Sequence, residues 1–439
     1  MSPNRGEFRR ILVGLALAGA THVAGAAAQV TYQVDSTLDQ IDDDLLDGAC
    51  HTAAGTCTLR AATMQANLVT GPGVTILLPA GTYTLTRPIV GANGPDSGDL
   101  NLTTAPLGGT VISIVGAGAT TTILSANQQY RILDIAPGRE ASLSRLTITG
   151  GTDEVEGGGI RNGGFLSLYA CRITQNEAFN GGGIYNFEFL SLVDSIVDGN
   201  ITTGGDGGGI LSNLGEVRLA RSTIHGNFAW RDGGGLAVYQ ESLTATNSTI
   251  SGNSTNRNAG GVLYVSNVGS ANLYNVSIVL NGADEDGNFV GSGGGAYVAP
   301  GSVFSIRNSL IAVNHLHGAP VYEDCSGAIG SYGRNLVGTA DGCTINIGSG
   351  SWGYFTPFSS LGPLANNGGS TRTHAILPGS SALDAGDPVL GCIDQNGAIP
   401  SDQRGAPRIF GAACDIGAYE AGILFFDSFE SGDTSSWSL

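Results

Sequence analysis

The chain has 439 residues, of which 70 are glycine and only 13% are charged. Its 19 basic residues are all arginine and stand against 37 acidic residues, which gives a formal net charge of -18. This acidity argues against nucleic acid or an anionic membrane as a partner, and the absence of lysine excludes Schiff-base chemistry and a phosphate-loop lysine.

Residues 1–28 have the pattern of a secretory signal peptide. Their start is basic, residues 11–20 are apolar, and three alanines at residues 26–28 suit cleavage before Gln29. The apolar run is too short to span a bilayer, and no later run is long enough. The sequence therefore predicts an exported protein, extracellular or at the cell surface with the periplasm as an alternative. The mature chain is predicted to lack a transmembrane segment.

Residues 29–70 form an N-terminal module whose first part is crowded with aspartates. The carboxylates of Asp42, Asp44 and Asp47 are hard oxygen ligands at short spacing, which admits calcium. Solvated acidic loops are the commoner use of such clusters, and the spacing does not match an EF-hand. Calcium is therefore one alternative here, and no other cofactor is predicted.

A short amphipathic helix is predicted from Thr58 to about Asn67. Leu59, Ala62 and Ala66 would share its apolar face, and Thr58 is a favourable N-cap. Such a helix would cover the open end of the sheet that follows, which would otherwise expose unpaired backbone groups to other chains.

A Gly-Gly-Gly-apolar motif recurs through the middle of the chain, in four intact and two degraded copies. The copies occupy residues 157–160, 181–184, 207–210, 233–236, 259–262 and 293–296. Their last residues are spaced by 24, 26, 26, 26 and 34 positions, which indicates stacked structural repeats. Each copy is followed by a second motif that ends in asparagine: Asn176, Asn200, Asn227, Asn253, Asn281 and Asn314.

Residues that precede each asparagine fall into aliphatic columns two positions apart, which is the pattern of a strand with one buried face. Eight positions before the asparagines stand Leu168, Leu192, Leu219, Ala245, Leu273 and Ile306. No helical period accompanies them. The pattern predicts an all-β fold, a right-handed parallel β-helix over 71–350 with regular repeats at 151–315. It would carry an N-terminal helical cap and an irregular, disulfide-containing C-terminal region.

Three features of the repeats make definite structural predictions. The apolar residues that close the first five motifs should form one buried column: Ile160, Ile184, Ile210, Leu236 and Val262. The glycines should permit positive φ and close backbone approach at a corner. The asparagines should adopt the left-handed conformation and hydrogen-bond from coil to coil.

The loops between each asparagine and the next glycine triplet should lie side by side and form one edge. This edge is the predicted ligand-binding surface, with Phe179, Trp230, Arg231, Asp232, Arg257, Asp284 and Asp286 as its candidate residues. Trp230 could stack on a sugar ring, or it could simply cover the coil end of its own loop. Asp284, Asp286 and Asn288 are a second calcium alternative.

Residues 351–421 form an irregular C-terminal region, and 422–439 an aromatic and acidic tail. Seven cysteines fit an oxidising compartment. Local spacing predicts three disulfides: Cys50–Cys57, Cys325–Cys343 and Cys392–Cys414. Cys171 is left as a buried thiol.

Several motifs resemble known families. Residues 47–50 and 57–62 resemble the CSLREA domain of bacterial surface proteins, with Thr58 keeping the helix cap and Ala61 replacing the glutamate that would complete it. The repeats resemble right-handed parallel β-helix repeats of the pectin-lyase-like type, including those of polymorphic outer-membrane proteins. The C-terminal region resembles the choice-of-anchor Q domain at residues 361–369, 373–375, 381–386, 402–405 and 414–420. These resemblances imply an exported bacterial protein and transfer no catalytic residue.

Three functions remain open. The sequence favours a non-catalytic surface protein for adhesion or glycan contact, over a divergent polysaccharide lyase or glycoside hydrolase and over a structural cell-surface spacer. Three or more carboxylates with an arginine in one groove would favour the enzyme, an aromatic stripe would favour glycan contact, and a bare polar face would favour the spacer. No catalytic residue is predicted, the partner would be a polysaccharide or cell-surface glycan, and the chain is expected to be a monomer.

Overall fold

The computed structural model describes residues 29–71, 73–89, 94–104, 110–256, 263–266, 268–285, 287, 291–316, 322–348, 352–354 and 360–422. The predicted signal peptide and the predicted tail after Gly422 lie outside these residues. In most turns the chain visits the same parallel strand ladders in the same order, and we number these ladders 1 to 4. This is the right-handed parallel β-helix that the repeats predict.

Ladders 1 and 2 share one strand and together form a sheet of 20 strands. Ladder 1 comprises Leu100–Leu102, Leu133–Ile135, Ile160–Asn162, Ile184–Asn186, Ile210–Asn213, Leu236–Tyr239, Leu263–Ser266, Ala296–Val298 and the start of Cys325–Tyr332. Ladder 2 comprises Val30–Gln33, Val74–Leu78, Val111–Gly116, Glu140–Ser144, Phe165–Tyr169, Phe189–Val193, Glu216–Ala220, Ser242–Thr246, Ser270–Tyr274, Val303–Arg307, Cys325–Tyr332 and Cys343–Ile347.

Ladder 3 has 11 strands and ladder 4 has seven. Ladder 3 comprises Gly81–Thr84, Thr122–Ser125, Thr147–Thr149, Arg172–Thr174, Ile196–Asp198, Thr223–His225, Thr249–Ser251, Ser277–Val279, Leu310–Ala312, Arg334–Val337 and Trp352–Tyr354. Ladder 4 comprises Thr152–Glu156, Glu177–Asn180, Ile201–Thr202, Phe228–Ala229, Ser254–Thr255, Gly282–Ala283 and His315–Leu316. Two antiparallel hairpins follow in the C-terminal region: Leu361–Ala365 with Thr373–Ile376, and Ile393–Asp394 with Gly397–Ala398.

The aliphatic columns fill the interior of the β-helix. Ile160, Ile184, Ile210 and Leu236 pair in register on successive coils of ladder 1 and are fully buried. The predicted column is confirmed for these four residues. Its fifth place is taken by Leu263, because the segment before that strand is one residue longer than the glycine spacing implies. Val262, the predicted residue, lies outside the described residues.

The asparagines form a hydrogen-bonded column inside the β-helix, as predicted. From Asn176 to Asn314, each Nδ2 donates to the Oδ1 of the next asparagine at 2.8–3.2 Å. Each backbone N–H donates to the same oxygen at 3.0 Å. Asp324 ends the column, since its Oδ1 accepts both the backbone and the side-chain N–H of Asn314 at 2.8 Å.

The left-handed backbone conformation was predicted for the asparagines and is instead found one residue earlier. Gln175 has φ 55° and Gly199 has φ 63°, and the same holds before each later asparagine. The residue before each asparagine makes the left-handed turn, so the side-chain amide of the asparagine can point into the β-helix.

The glycine triplets form the corner between ladders 4 and 1. The first glycine has positive φ, for example 59° at Gly181 and 69° at Gly207. At the second position, a Cβ on Gly182 would lie 2.3 Å from the carbonyl oxygen of Ile201 in the next coil. Both expectations for these glycines are confirmed.

The predicted N-terminal helix is present as Leu59–Ala66 and is buried throughout. Thr58 is its N-cap, and its Oγ1 accepts the Ala61 N–H at 3.1 Å. Arg60 is buried on the helix and pairs with Asp39, Nε to Oδ1, at 2.5 Å. The helix packs against early strands of ladders 1 and 2. No helix in the described part of the chain is long and apolar enough to cross a membrane.

Residues 360–422 fold back along the outer face of ladder 3. Gln403 Nε2 donates to Thr223 Oγ1 at 2.9 Å, and Arg408 Nη2 donates to Asn247 Oδ1 at 2.7 Å. An apolar cluster joins the two surfaces: Ile376, Ala382 and Ile416 with Val279, Leu310, Ala312 and Leu336. The C-terminal region therefore covers part of the β-helix.

All three predicted disulfides are confirmed, with Cα–Cα distances of 5.1, 5.5 and 6.1 Å in chain order. Cys171 is free and buried, also as predicted. Burial raises the pKa of the Cys171 thiol to about 12. It is therefore protonated at neutral pH and is not a nucleophile.

Candidate functional site

The predicted loop edge lies along ladder 4 and is only partly exposed. The side chains of Phe179 and Trp230 are 43% and 37% exposed, and Ile201 lies exposed on the coil between them. Asp232 and Asp284, two further candidate residues, are 6% and 1% exposed, so the structure places them beneath the surface of this edge. Arg257 and Asp286 of the predicted edge, and Asn288 of the second calcium alternative, lie outside the described residues.

Asp232 and its neighbour Asp206 instead support an aromatic surface around the corner. Asp206 Oδ1 accepts the Asp232 backbone N–H at 3.1 Å, and its Oδ2 accepts the Tyr239 hydroxyl at 2.9 Å. Arg231 reaches Asp206 from the solvent side, with Nε 3.6 Å from Oδ1. Burial, then Asp206 and Asp232, raise the pKa of Tyr239, so its phenol stays a hydrogen-bond donor.

This aromatic surface runs along the outer face of ladder 1 over five coils. We call it the aromatic strip, and its members are Tyr185, Phe187, Leu211, Ala237, Tyr239, Tyr264 and Tyr297. The rings of Tyr264 and Tyr297 are stacked with centroids 5.2 Å apart, and Tyr239 meets Tyr264 edge-on at 5.7 Å. At the other end, Tyr185 and Phe187 lie 4.6 Å apart.

Sequence analysis missed the aromatic strip, although a signal was present. The strip residues Tyr185, Leu211, Ala237, Tyr264 and Tyr297 occupy one register position, directly after the buried column of ladder 1. A strand with one solvated face should carry a polar residue there, as Arg161 does in the first regular coil. An apolar residue at this position, directly after the apolar residue of the buried column, therefore indicates that the outer face is covered or binds a ligand.

A cluster of arginines and carboxylates continues the strip toward the N-terminus. Arg131 pairs with Asp153 at 2.7 Å and with Asp134 at 3.4 Å, and Arg161 pairs with Asp134 and Glu156, both at 3.2 Å. Asp99 also contacts Arg131, at 3.3 Å. The Arg161 guanidinium lies 5.4 Å from the centre of the Phe187 ring. A pocket of about 270 Å³ opens beside Asp134 and Arg161.

The guanidinium and carboxylate groups of this cluster are paired with one another. Burial alone would lower the pKa of Arg161, but Asp134 and Glu156 outweigh it and raise that pKa. A guanidinium held in its charged form does not accept a proton at neutral pH. The cluster contains the three or more carboxylates and the arginine that we expect of an enzyme of this fold. Because these charges are paired with one another, the cluster is poorly suited to acid–base catalysis.

Two histidines, His374 and His225, lie where the C-terminal region meets ladder 3. His374 lies between Ser251 Oγ and the Gly362 carbonyl oxygen, each at 2.8 Å, and burial lowers its pKa. Burial also lowers the pKa of His225. Both imidazoles are therefore held in the neutral form, and His374 joins the C-terminal region to ladder 3.

Asp42, Asp44 and Asp47, the possible calcium ligands of the N-terminal module, are engaged in hydrogen bonds within that module. Asp42 Oδ1 accepts from Gln65 Nε2 at 2.8 Å, and Asp47 Oδ2 lies 2.7 Å from His51 Nε2. Asp44 accepts a backbone N–H two residues on. Among the described residues, no group of three or more histidine, cysteine, aspartate or glutamate side chains is placed to hold a metal ion.

Comparison with known proteins identifies the fold. No protein-family model and no curated protein matches this sequence. Among solved structures, the crystal structure of pectate lyase Pel9A is similar, with a TM-score of 0.54 and 14% sequence identity. The similarity covers 91% of this chain and 98% of that one. It shows a pectate-lyase-like parallel β-helix and does not extend to activity.

Proposed function

We propose that this chain is an exported, non-catalytic β-helix protein that contacts a polysaccharide or cell-surface glycan through the aromatic strip. The strip is the observation that carries the proposal. Tyr185, Leu211 and Ala237 are buried, while the rings of Phe187, Tyr239, Tyr264 and Tyr297 are half-buried and form its accessible part. An accessible apolar surface marks an interaction site, and this one lies on a face that should otherwise be polar. The pectate-lyase-like fold is compatible with polysaccharide contact.

The geometry of the strip suits an extended polymer. The rings of Tyr239, Tyr264 and Tyr297 lie on three successive coils, so they follow the axis of the β-helix at the coil spacing of about 4.8 Å. Tyrosine offers an apolar face for stacking and a hydroxyl for hydrogen bonding, and it loses little conformational entropy on binding. Asp206 holds the Tyr239 hydroxyl, so this part of the surface is formed before the ligand arrives.

Affinity electrophoresis of the mature protein in gels that contain plant, algal or bacterial polysaccharides tests this proposal. We expect at least one polymer to retard the protein, and the Tyr264→Ala variant to lose about tenfold in affinity, because it removes both ring contacts of Tyr264. Tyr169→Ala is the matched control, since Tyr169 is exposed on ladder 2 outside the strip. Equal retardation of both variants would place the binding surface elsewhere.

A divergent polysaccharide lyase or glycoside hydrolase is the second candidate function. The arginine–carboxylate cluster and its pocket favour it, because carboxylates and a cation in one groove are what such chemistry requires. The same polymers should be assayed for new reducing or unsaturated ends. Sustained release that is abolished by Asp134→Asn or Arg161→Met would establish the enzyme and contradict the non-catalytic proposal.

Export is proposed on independent grounds. Three disulfides are stable in an oxidising compartment, and the start of the chain has the pattern of a signal peptide. The likeness to CSLREA and choice-of-anchor Q domains agrees with a cell-surface protein, for which a purely structural spacer is the remaining alternative. Mass spectrometry of the secreted protein should give a mature chain that starts at Gln29. Recovery of the full chain from the cytoplasm, with reduced cysteines, would contradict export.

A further inference from the structure

A second pocket, lined by none of the strip residues, lies where the returning C-terminal region meets the outer face of ladder 2. Its volume is about 290 Å³. Tyr274, Arg307 and Tyr332 line it from three successive coils, in register with one another. Asp394 and Gln395 line it from the second C-terminal hairpin. The pocket therefore forms only once the C-terminal region has folded back.

The guanidinium of Arg307 has no acidic partner among the described residues. Its Nη1 is buried and makes no hydrogen bond to any described residue. By contrast, three arginines on ladders 2 and 3 or at the turn between them are paired: Arg172 with Asp198, Arg218 with Glu216 and Arg221 with Asp194. A buried donor without an acceptor is destabilising, and the planar guanidinium matches a carboxylate. The free donor therefore points to an anionic occupant.

The other residues that line the pocket indicate which further groups the ligand carries. The Tyr332 ring is exposed beside Arg307 and offers an apolar face. Burial and Asp394 raise the pKa of Tyr274, so its hydroxyl donates a hydrogen bond at neutral pH. The Asp394 carboxylate accepts, and the Gln395 amide both donates and accepts. Hydroxyl groups satisfy these donors and acceptors together, whereas a simple carboxylic acid leaves them unused.

We propose that this pocket binds a single carboxylated sugar unit, with the carboxylate on Arg307, the ring against Tyr332 and hydroxyls on Asp394 and Gln395. The volume is at the lower end of ligand pockets, which fits one sugar ring. The proposal does not rest on the aromatic strip. Tyr264→Ala should leave it unaffected, so failure of one proposal is distinguishable from failure of the other.

Saturation-transfer NMR with the mature chain tests the pocket with three probes: glucuronate, glucose and N-acetylalanine. We expect glucuronate to bind at millimolar concentration and glucose at least about tenfold more weakly, because glucose lacks the charge-assisted bond to Arg307. N-acetylalanine represents a peptide carboxylate. Binding as tight as that of glucuronate would overturn the assignment to a sugar, and absence of glucuronate binding at tens of millimolar would overturn the pocket itself.

Two variants locate the bound sugar. Arg307→Met should weaken glucuronate binding at least about tenfold, while Arg218→Met, on the same ladder and outside the pocket, should not change it. Asp394→Ala lies in a peripheral hairpin and serves as the second variant if Arg307→Met fails to fold. It should weaken glucuronate several-fold and leave N-acetylalanine unchanged. Unchanged glucuronate binding in Asp394→Ala would overturn the assignment.

Discussion

Removal of Asn227 from the middle of the asparagine column should be among the most costly single substitutions in this protein. Its Oδ1 accepts the backbone N–H of Asn200 at 3.0 Å and the Asn200 Nδ2 at 2.9 Å. Its Nδ2 donates to Asn253 Oδ1 at 2.8 Å and to the Val197 carbonyl oxygen at 2.9 Å. All of these groups are buried.

The magnitude follows from what Asn227→Ala leaves behind. Asn200 Nδ2 keeps its bond to the Ile173 carbonyl oxygen, and Asn253 Oδ1 loses only one of its donors. The buried Asn200 N–H is left without that acceptor, and the Val197 carbonyl loses this donor. At about 1–3 kcal/mol for each of these two buried groups, we expect a loss of about 2–6 kcal/mol in the free energy of unfolding.

Urea denaturation followed by circular dichroism measures this loss. Asn396→Ala is the control, since Asn396 is exposed in the C-terminal hairpin turn, and it should change stability by less than about 0.5 kcal/mol. A loss below about 1 kcal/mol in Asn227→Ala would mean that water or a backbone shift satisfies the orphaned groups, and that the column contributes little to stability.

Three further predictions concern charge, space and reactivity. Burial raises the pKa of Asp324 to about 6, so the protonated carboxyl favours the folded state and this contribution is lost as pH rises from about 4 through 6. Asp324→Asn should therefore gain stability relative to the natural chain between pH 4 and pH 7, by up to roughly 3 kcal/mol in urea denaturation, and a pH-independent difference would contradict the shift. Gly182→Ala should lower the free energy of unfolding by more than about 2 kcal/mol, because its Cβ would lie 2.3 Å from a carbonyl oxygen. Gly252 is the control: it has φ 63° and no atom within 4 Å of an added Cβ, so Gly252→Ala should cost about 1 kcal/mol. Equal losses in the two variants would be inconsistent with steric exclusion at the glycine triplet. Cys171 should resist a thiol reagent in the folded protein at pH 7 and react after denaturation, and rapid native labelling would show that the thiol is exposed.

Sequence periodicity was sufficient for the interior of the β-helix. Inward positions such as Ile160 and Ile184 meet the same neighbours in every coil, so they repeat and can be counted. The asparagine column was predictable for the same reason. Its end was not, because Asp324 reaches Asn314 from the position directly before Cys325–Tyr332, only ten residues later in the chain and outside the repeat position of the asparagines.

Outward positions were predicted less well, because each meets a different environment. Asp232 and Asp284 lie in loops that look exposed in the sequence, yet the corner buries them. The return of the C-terminal region brings Gln403 to Thr223, 180 residues away in sequence, and no local pattern indicates such a contact. The pocket at Arg307 depends on that return, so neither could be predicted from the repeats.

A crystal structure of the mature protein with the retarding polysaccharide would show where the glycan binds. We expect an intact chain of sugar units along the aromatic strip, with rings over Tyr239, Tyr264 and Tyr297. Sugar density at Trp230 on ladder 4, or a cleaved product beside Arg161, would contradict this expectation.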